Sequence, residues 1–282
     1  MSVINRIMAN RHKLPESGKK IADRVINNPE IAMKCNSQML AKEAQVSQSS
    51  IVKFTQKLNF SGFSQFKQEL TEELTRKATI NQSPLHANIG SEDSSSTIIQ
   101  KLIKAKNEAI IQTSNGLMVP EFDHVVEHLN LAYRVHIVGM GGSFLSGKDL
   151  AYKLLKLGIP GIIEFDSHVQ IGIAKTLSPN DIQIVLSFSG NTKEINIAAE
   201  VAKTQGATII ALTSPMQSEL RTIADICLDT IADESKNRAS SITARTAQNV
   251  VTDALFIALV KLRGGSSQEL LQDIAQQIRL IT

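Results

Sequence analysis

No run of 18 apolar residues occurs in this sequence, and Arg6, Arg11, Lys13, Asp23 and Glu30 are scattered through its first thirty positions. Neither a membrane-spanning helix nor the apolar stretch of a secretory leader can be drawn on such a pattern, so a soluble, cytoplasmic protein with no membrane partner is expected. Cysteine is scarce: Cys35 and Cys227 lie far apart, with no CxxC or Cys/His spacing. A cytosolic compartment would keep them reduced, and both read as small buried hydrophobes. The six histidines form no HExxH and no close cluster with carboxylates. No metal and no other cofactor is expected.

Two nucleotide motifs are incomplete. Gly139 and Gly141 match the first two glycines of GxGxxG, with Glu164 or Asp166 near the acidic position, but Phe144 replaces the third glycine. Its ring is expected to hinder close packing of helix on strand, which disfavours a dinucleotide. Gly147-Lys148 is followed by Asp149 and lacks the upstream glycine of a Walker A loop.

What is present fits two domains. The 282 residues are 42% hydrophobic, enough for a core in each. Residues 1–80 hold 13 Lys or Arg against 7 Asp or Glu, a net of +6, while the remainder has a net of −3. A basic front on a slightly acidic body suggests that a polyanion touches the front alone. Residues 79–97, rich in Ser and Asn with Pro84 and Gly90, show no apolar period and read as a linker between a domain at 1–78 and one at 98–282.

Every periodic segment of the front domain has helical spacing. Ser17 is placed to cap a helix bearing Ile21, Val25 and Ile26, stopped by Asn27, Asn28 and Pro29. Ser37 opens a short helix with Leu40, Ala41 and Ala44, Gln45-Val46-Ser47 breaks it, and Ser47 caps the next helix. There Ile51, Phe54 and Leu58 form an inward stripe. Phe60, Phe63 and Phe66 are expected to pack a further helix, ending near Arg76, beneath the pair. Two short helices joined so tightly make a helix-turn-helix, whose second helix enters the major groove of DNA by its N-terminal end. Here Ser47, Gln48, Ser49 and Ser50 offer groups able to hydrogen-bond base edges, and Lys53 and Lys57 are placed to meet phosphates. Arg6, Arg11, Lys13, Lys19 and Lys20 are candidates for additional backbone contacts.

After helical segments at about 97–115 and 120–130, β-branched runs at 133–138, 161–165, 182–187, 207–213 and 226–230 alternate with helical spacing. This is the pattern of βαβ units: an α/β fold with a doubly wound parallel sheet, whose ligands sit at the carboxyl ends of the strands. Two loops there suit an oxyanion. Gly139-Met140-Gly141-Gly142-Ser143 lets the backbone approach a ligand closely. Ser187-Phe188-Ser189-Gly190-Asn191-Thr192 supplies three hydroxyls and a series of backbone N–H groups at the start of a helix.

The SxSGxT motif at Ser187–Thr192, with GxGxS at Gly139–Ser143, resembles the SIS (sugar isomerase) domain. Joined to the helix-turn-helix containing Ser47-Gln48-Ser49-Ser50-Ile51-Val52-Lys53-Phe54, it resembles the RpiR family of bacterial regulators, almost throughout its length. The resemblance implies that a sugar phosphate is held by Ser187, Ser189 and Thr192 with the Gly190-Asn191 backbone between them. Ser143 would close the other side, His168 lie near the sugar, and Arg245 approach from the last helix of the same or a neighbouring subunit. Arg238 and Arg245 equally suit an interface ion pair. It further implies a homodimer or homotetramer that represses amino-sugar catabolic genes on a double-stranded DNA operator until a phosphorylated amino sugar arrives. N-acetylmuramic acid 6-phosphate and N-acetylmannosamine 6-phosphate both fit. The rival reading is a SIS-domain isomerase or lyase with Glu164, Glu194, Glu234 or His168 as general base, but a basic helix-turn-helix has no purpose in such an enzyme, and none is expected here.

Overall fold

A computed structural model describes residues 2–80, 89–234 and 240–280. Pro84 and Arg238, both singled out above, lie outside them. By packing, the chain divides into two compact units: Met1–Gly116 with Ile231–Thr243, and Leu117–Thr230 with Ala244–Thr282.

The first unit is helical: α1 (Val3–Asn10), α2 (Glu16–Asn27), α3 (Pro29–Lys34), α4 (Ser37–Glu43), α5 (Gln48–Lys57), α6 (Phe63–Ile80) and α7 (Ser95–Gly116). The expected linker therefore turns helical by Ser95. Two expected caps are corrected. Pro15 occupies the N-cap of α2 with extended backbone, and Ser17 lies inside the first turn; proline lacks the N–H and favours such a boundary. Asn36 caps α4, its side chain accepting from the Met39 N–H at 2.8 Å, and Ser37 is the first helical residue. Asn28-Pro29 ends α2 as expected, but Pro29 at N1 also starts α3. Helix α1 is held at its start by Glu73 of α6, whose buried carboxylate accepts from Ser2 Oγ at 2.7 Å and the Val3 N–H at 2.5 Å. A carboxylate at that end satisfies orphan donors and meets the positive pole of the helix.

The core of this unit is built on Ile7, Ile21, Leu40, Ile51, Phe54, Leu58 and Phe66. Phe66 receives Phe54 and Phe60 edge-on, with ring centroids 5.9 and 5.4 Å away, as aromatic quadrupoles prefer. Ile231, from far along the chain, is fully buried in the same core. Thr113 Oγ1 donates to the Ile231 carbonyl at 3.1 Å and accepts from its N–H at 2.9 Å. Gly116 leaves the space that the Ile231 side chain fills; a Cβ there would stand 2.6 Å from Cδ1.

The second unit contains α8 (Val119–Leu131), β1 (Val135–Gly139), α9 (Gly142–Leu155), β2 (Gly161–Ile163), α10 (Ser167–Lys175), β3 (Ile182–Leu186), α11 (Lys193–Thr204), β4 (Thr208–Thr213), α12 (Glu219–Ile223) and β5 (Ile226–Asp229). It also holds α13 (Ile242–Arg263) beyond its first residues and α14 (Gly265–Arg279). The five strands are parallel in the order β2-β1-β3-β4-β5. Leucines and valines of α8, α9 and α13 cover one face, and α10, alanine-rich α11 and α12 cover the other. With helices on both sides, β1 and β3 are buried along their whole length, which explains why they read as continuous apolar runs. One polar pair lies in the second face: His136 and Gln183, register partners on β1 and β3, meet at 3.1 Å with both side chains buried.

Helix α9 does approach the sheet closely, contrary to the expectation drawn from Phe144. The approach is made at Gly147, where a Cβ would meet Ile137 Cγ2 at 2.9 Å and Ile163 Cδ1 at 3.0 Å. Phe144 instead packs edge-on against Phe165, centroids 5.1 Å apart. Its ring is no obstacle because the required glycine sits one turn later.

Candidate functional site

The helix-turn-helix is α4 and α5, joined by Ala44–Ser47 with Gln45 at φ 54°. A left-handed residue in so short a link turns the chain sharply. Ser47 caps α5 by accepting from the Ser50 N–H at 3.3 Å, and its Oγ lies 2.9 Å from those of both Ser49 and Ser50. Gln48 donates to Ser37 Oγ at 3.0 Å, bridging the two helices. Ile51, Phe54, Thr55 and Leu58 are buried, leaving Gln48, Ser49, Val52, Lys53, Gln56 and Lys57 on the open face.

The open face thus brings together the predicted base-facing and phosphate-facing side chains, with Ser50 half-buried beside them. Val52, 42% exposed among polar neighbours, was not expected; an apolar group there suits a thymine methyl. It could have been found by assigning each residue between the buried stripe positions to the outer face. Several other candidate cations are engaged within the unit. Arg6 donates to the Leu58 carbonyl, stacks 4.4 Å from the centre of the Phe60 ring and pairs with Glu69. Arg11 makes a two-point pair with Asp23, and Lys19 pairs with Glu16.

In the second unit, the strand order creates a switch point. The chain leaves β1 for β2 on one side and returns to β3 on the other, so the loops after β1 and β3 diverge around a crevice at their carboxyl ends. These are the two expected loops. Helix α9 begins at Gly142 with Gly141 as N-cap, and α11 begins at Lys193 with Thr192 as N-cap; neither cap residue makes a side-chain bond to the first turn. Two helix N-termini on adjacent strands therefore present first-turn N–H groups without side-chain caps, the arrangement that receives anions.

Hydroxyls complete the second loop. Ser187 Oγ is buried and lies 3.4 Å from Thr192 Oγ1, whereas Ser189 and Asn191 are exposed. Gly190 has φ 66°, and a Cβ there would stand 2.2 Å from Ser218 Oγ. The Asn191 side chain is occupied: Oδ1 accepts from the Glu219 N–H and Nδ2 donates to the Ser189 carbonyl. It ties the loop to the start of α12, while the Asn191 backbone N–H donates to Ser189 Oγ at 3.3 Å and that of Gly190 to the Ser187 carbonyl at 3.1 Å.

On the first loop, Ser143 is half-buried, and its Oγ accepts from Gln248 Nε2 of α13 at 2.9 Å. Arg245 stands one turn before Gln248 on that helix and is half-buried. Gln170 of α10 is buried, and its Nε2 donates to the carbonyls of Gly139 and Glu164 at 3.1 and 2.8 Å, joining the root of the first loop to the segment after β2. His168 is exposed in the first turn of α10, its backbone N–H donated to Asp166. Neither buried glutamine was assigned a role from sequence; each is a long polar side chain at an inward position of its helix, which is the available signal.

Of the rival general bases, Glu164 and Glu194 are exposed, and Glu234 accepts from Thr243 Oγ1 at 2.8 Å in the first unit. A groove of about 790 Å³ lies at the opposite, amino ends of the strands, lined among others by Tyr133, Pro160, Asp181 and Ile182; it includes none of the expected ligand residues. Among the described residues no His, Cys, Asp or Glu cluster suits a metal, and no helix is long and apolar enough to cross a membrane. Cys35 and Cys227 are both free thiols, and burial raises the pKa of Cys227.

Comparison with known proteins agrees with this division of labour. The helix-turn-helix domain of the rpiR family matches residues 1–77, and the SIS domain matches residues 128–258. Over 99% of both chains the fold is similar to that of the NanR protein of Vibrio vulnificus, solved in complex with ManNAc-6P, at 20% identity and a TM-score of 0.65. The sugar isomerase domain of an RpiR transcription factor from Sphaerobacter thermophilus aligns with 64% of this chain and 98% of its own, at 22% identity and a TM-score of 0.58. A phosphoheptose isomerase from Francisella tularensis aligns with 60% of this chain and all of its own, at 20% identity and a TM-score of 0.51. At these identities the likeness is one of fold. The chain joins an rpiR-family helix-turn-helix domain to a SIS domain.

Proposed function

We propose that this protein is a transcription repressor whose hold on operator DNA is released by a phosphorylated N-acetyl amino sugar, and that it is not an enzyme. The observation that carries the reading is the pairing of two helix N-termini and the hydroxyls of Ser143, Ser187 and Thr192 around one switch-point crevice, in a chain that also presents a basic helix-turn-helix. Ser143, Ser187, Ser189 and Thr192, with the backbone of Gly190 and Asn191, take the phosphate, while His168 and Arg245 face the sugar. Ser47, Gln48, Ser49 and Ser50 address bases, and Lys53 and Lys57 address phosphates. In this reading residues 1–78 read DNA, 79–97 connect, and 98–282 sense.

The sugar phosphate bound to NanR supports the amino-sugar class. Within that class N-acetylmuramic acid 6-phosphate is favoured over N-acetylmannosamine 6-phosphate. Ser47–Leu58, Gly141–Gly147, Ser167–Gln170 and Ala244–Asn249 resemble the corresponding segments of MurR, the repressor of N-acetylmuramic acid 6-phosphate use.

No bond need be made. Charge-assisted hydrogen bonds of roughly 1.5–3 kcal/mol each order the loops around a dianion. Moving a population from almost fully bound to almost fully released takes about 5.5 kcal/mol of differential affinity, within reach of one such grip. In a dimer whose reading helices match half-sites about 34 Å apart, a modest rotation misplaces one of them. The test is a gel-shift titration with the DNA upstream of the protein's own gene, at several salt concentrations. We expect salt-sensitive binding that the sugar phosphate abolishes. Operator affinity unchanged at saturating sugar phosphate removes the effector, and turnover of the sugar without DNA binding restores the isomerase reading.

A further inference from the structure

Gln248 stands out among the buried polar residues. It is fully buried on α13, whose other inward positions include the apolar Ala244, Val251, Leu255 and Leu259 and the short polar Thr243 and Thr252. Its Nε2 donates to Ser143 Oγ at 2.9 Å, and its Oε1 is buried with no hydrogen-bond partner. A buried acceptor left unpaired is a cost that methionine or leucine would avoid. The amide is therefore there for the one bond it makes. That bond ends on the hydroxyl at the mouth of the first loop.

The consequence follows from the hydrogen-bonding capacity of a serine. A hydroxyl has one proton to give and two lone pairs to accept with. With a lone pair taken by the Gln248 N–H, the proton of Ser143 is directed elsewhere, and no other described group receives it. A phosphate accepts hydrogen bonds, so it needs that proton aimed at it. Were the amide turned over, Oε1 would take the proton of Ser143 and leave only lone pairs facing the anion, which repel it.

We infer that Gln248 is a positioning residue for the anion site: by donating to Ser143 Oγ from inside the helix layer, it forces the serine hydroxyl to act as a donor to the phosphate of the bound sugar. The inference rests on the sugar-phosphate reading of the crevice. It adds a residue that never touches the ligand yet sets the sign of one of its contacts.

Calorimetric titration of the full-length chain with N-acetylmuramic acid 6-phosphate and N-acetylmannosamine 6-phosphate tests it, using Ser143→Ala, Gln248→Met, Gln248→Glu and the double variant Ser143→Ala/Gln248→Met. Loss of one charge-assisted hydrogen bond weakens affinity by roughly 10- to 100-fold. Ser143→Ala and Gln248→Met should each fall by that factor, and the double variant should be no weaker than Ser143→Ala alone. Gln248→Glu, whose carboxylate when ionised can only accept from Ser143, should be at least as weak as Gln248→Met, with a lowered melting temperature because the new charge is buried. Losses that multiply in the double variant, or a Gln248→Glu protein within twofold of wild type, overturn the inference while leaving the site intact. A wild-type chain that binds neither sugar, or is indifferent to Ser143→Ala, overturns the site reading and this inference with it.

Discussion

Gly190→Ala should disable sugar-phosphate binding while leaving DNA binding intact, and two separable costs set how far. The backbone at φ 66° lies in the left-handed region, which costs an L-residue about 1–2 kcal/mol. The new Cβ would also stand 2.2 Å from Ser218 Oγ and 2.6 Å from Ser218 Cβ, well inside contact distance, and such overpacking adds about 1–3 kcal/mol. Together they give about 2–5 kcal/mol against the native loop, or a loss on the order of 30-fold or more in affinity. Gly141 provides the control. It has φ 54° and ψ −125°, a conformation suited to glycine, with nothing within 4 Å of an added Cβ, so Gly141→Ala carries a torsional cost alone, about 1–3 kcal/mol or a loss on the order of 5- to 150-fold. Pairing Gly190→Ala with Ser218→Gly removes the two nearest atoms, leaves Thr213 Oγ1 at 3.0 Å, and should recover part of the loss. Calorimetry with the two amino-sugar phosphates, alongside gel shifts without ligand, measures each. The reasoning is refuted if Gly190→Ala binds within threefold of wild type, or if Ser218→Gly recovers none of its loss.

Ser47→Ala removes the cap of α5 and should lower the stability of the helical unit by about 1 kcal/mol, seen as a lower melting temperature together with weaker operator binding. Lys53→Ala and Lys57→Ala should each reduce the slope of log affinity against log salt by about 0.9 per bound protomer; an unchanged slope removes that lysine from the phosphate contacts. Burial, with a smaller contribution from Arg134, lowers the pKa of His136 from 6.5 to about 4. Between those values the unfolded chain binds the proton and the folded one does not. The stability due to its neutral burial is thus present above pH 6.5 and is lost as the pH falls towards 4, at up to about 1.4 kcal/mol per pH unit. Urea titrations at pH 7.5, 6 and 5 should show a flatter dependence for His136→Gln than for wild type, and parallel curves would count against it.

The α/β half was legible because its strands are buried on both faces. Runs such as Ile182-Gln183-Ile184-Val185-Leu186 need no partner in order to be recognised, and all five strands fall within two residues or so of where the sequence places them. The cap at Ser47 was legible for a local reason too, since an N-cap bond reaches only three residues. What failed depended on competition or on distance. Pro15 and Asn36 displaced Ser17 and Ser37 from cap positions because each pair of candidates is separated by one or two residues, and backbone conformation decides between them. Phe144 was misjudged because GxGxxG assumes a fixed offset for the close-packing glycine, whereas α9 uses Gly147. Helix α1 escaped notice although Ser2 caps it locally, accepting from the Asn5 N–H at 3.3 Å; its second anchor, Glu73, is some seventy residues away. The loops around the crevice could be read as anion-binding, but the bond from Gln248 to Ser143 spans 105 positions and has no local signature.

The burial of Ile231 against Gly116 and Thr113 bears on how such a molecule can be taken apart. A fragment ending at Gly116 would hold every helix of the first unit up to that point and still lack the isoleucine that plugs its interior. An absent aliphatic side chain of that size typically destabilises by about 2–5 kcal/mol, a large share of what a small helical domain possesses. Swapping the reading head onto another sensor would consequently require two splices, one on either side of a short return of the chain.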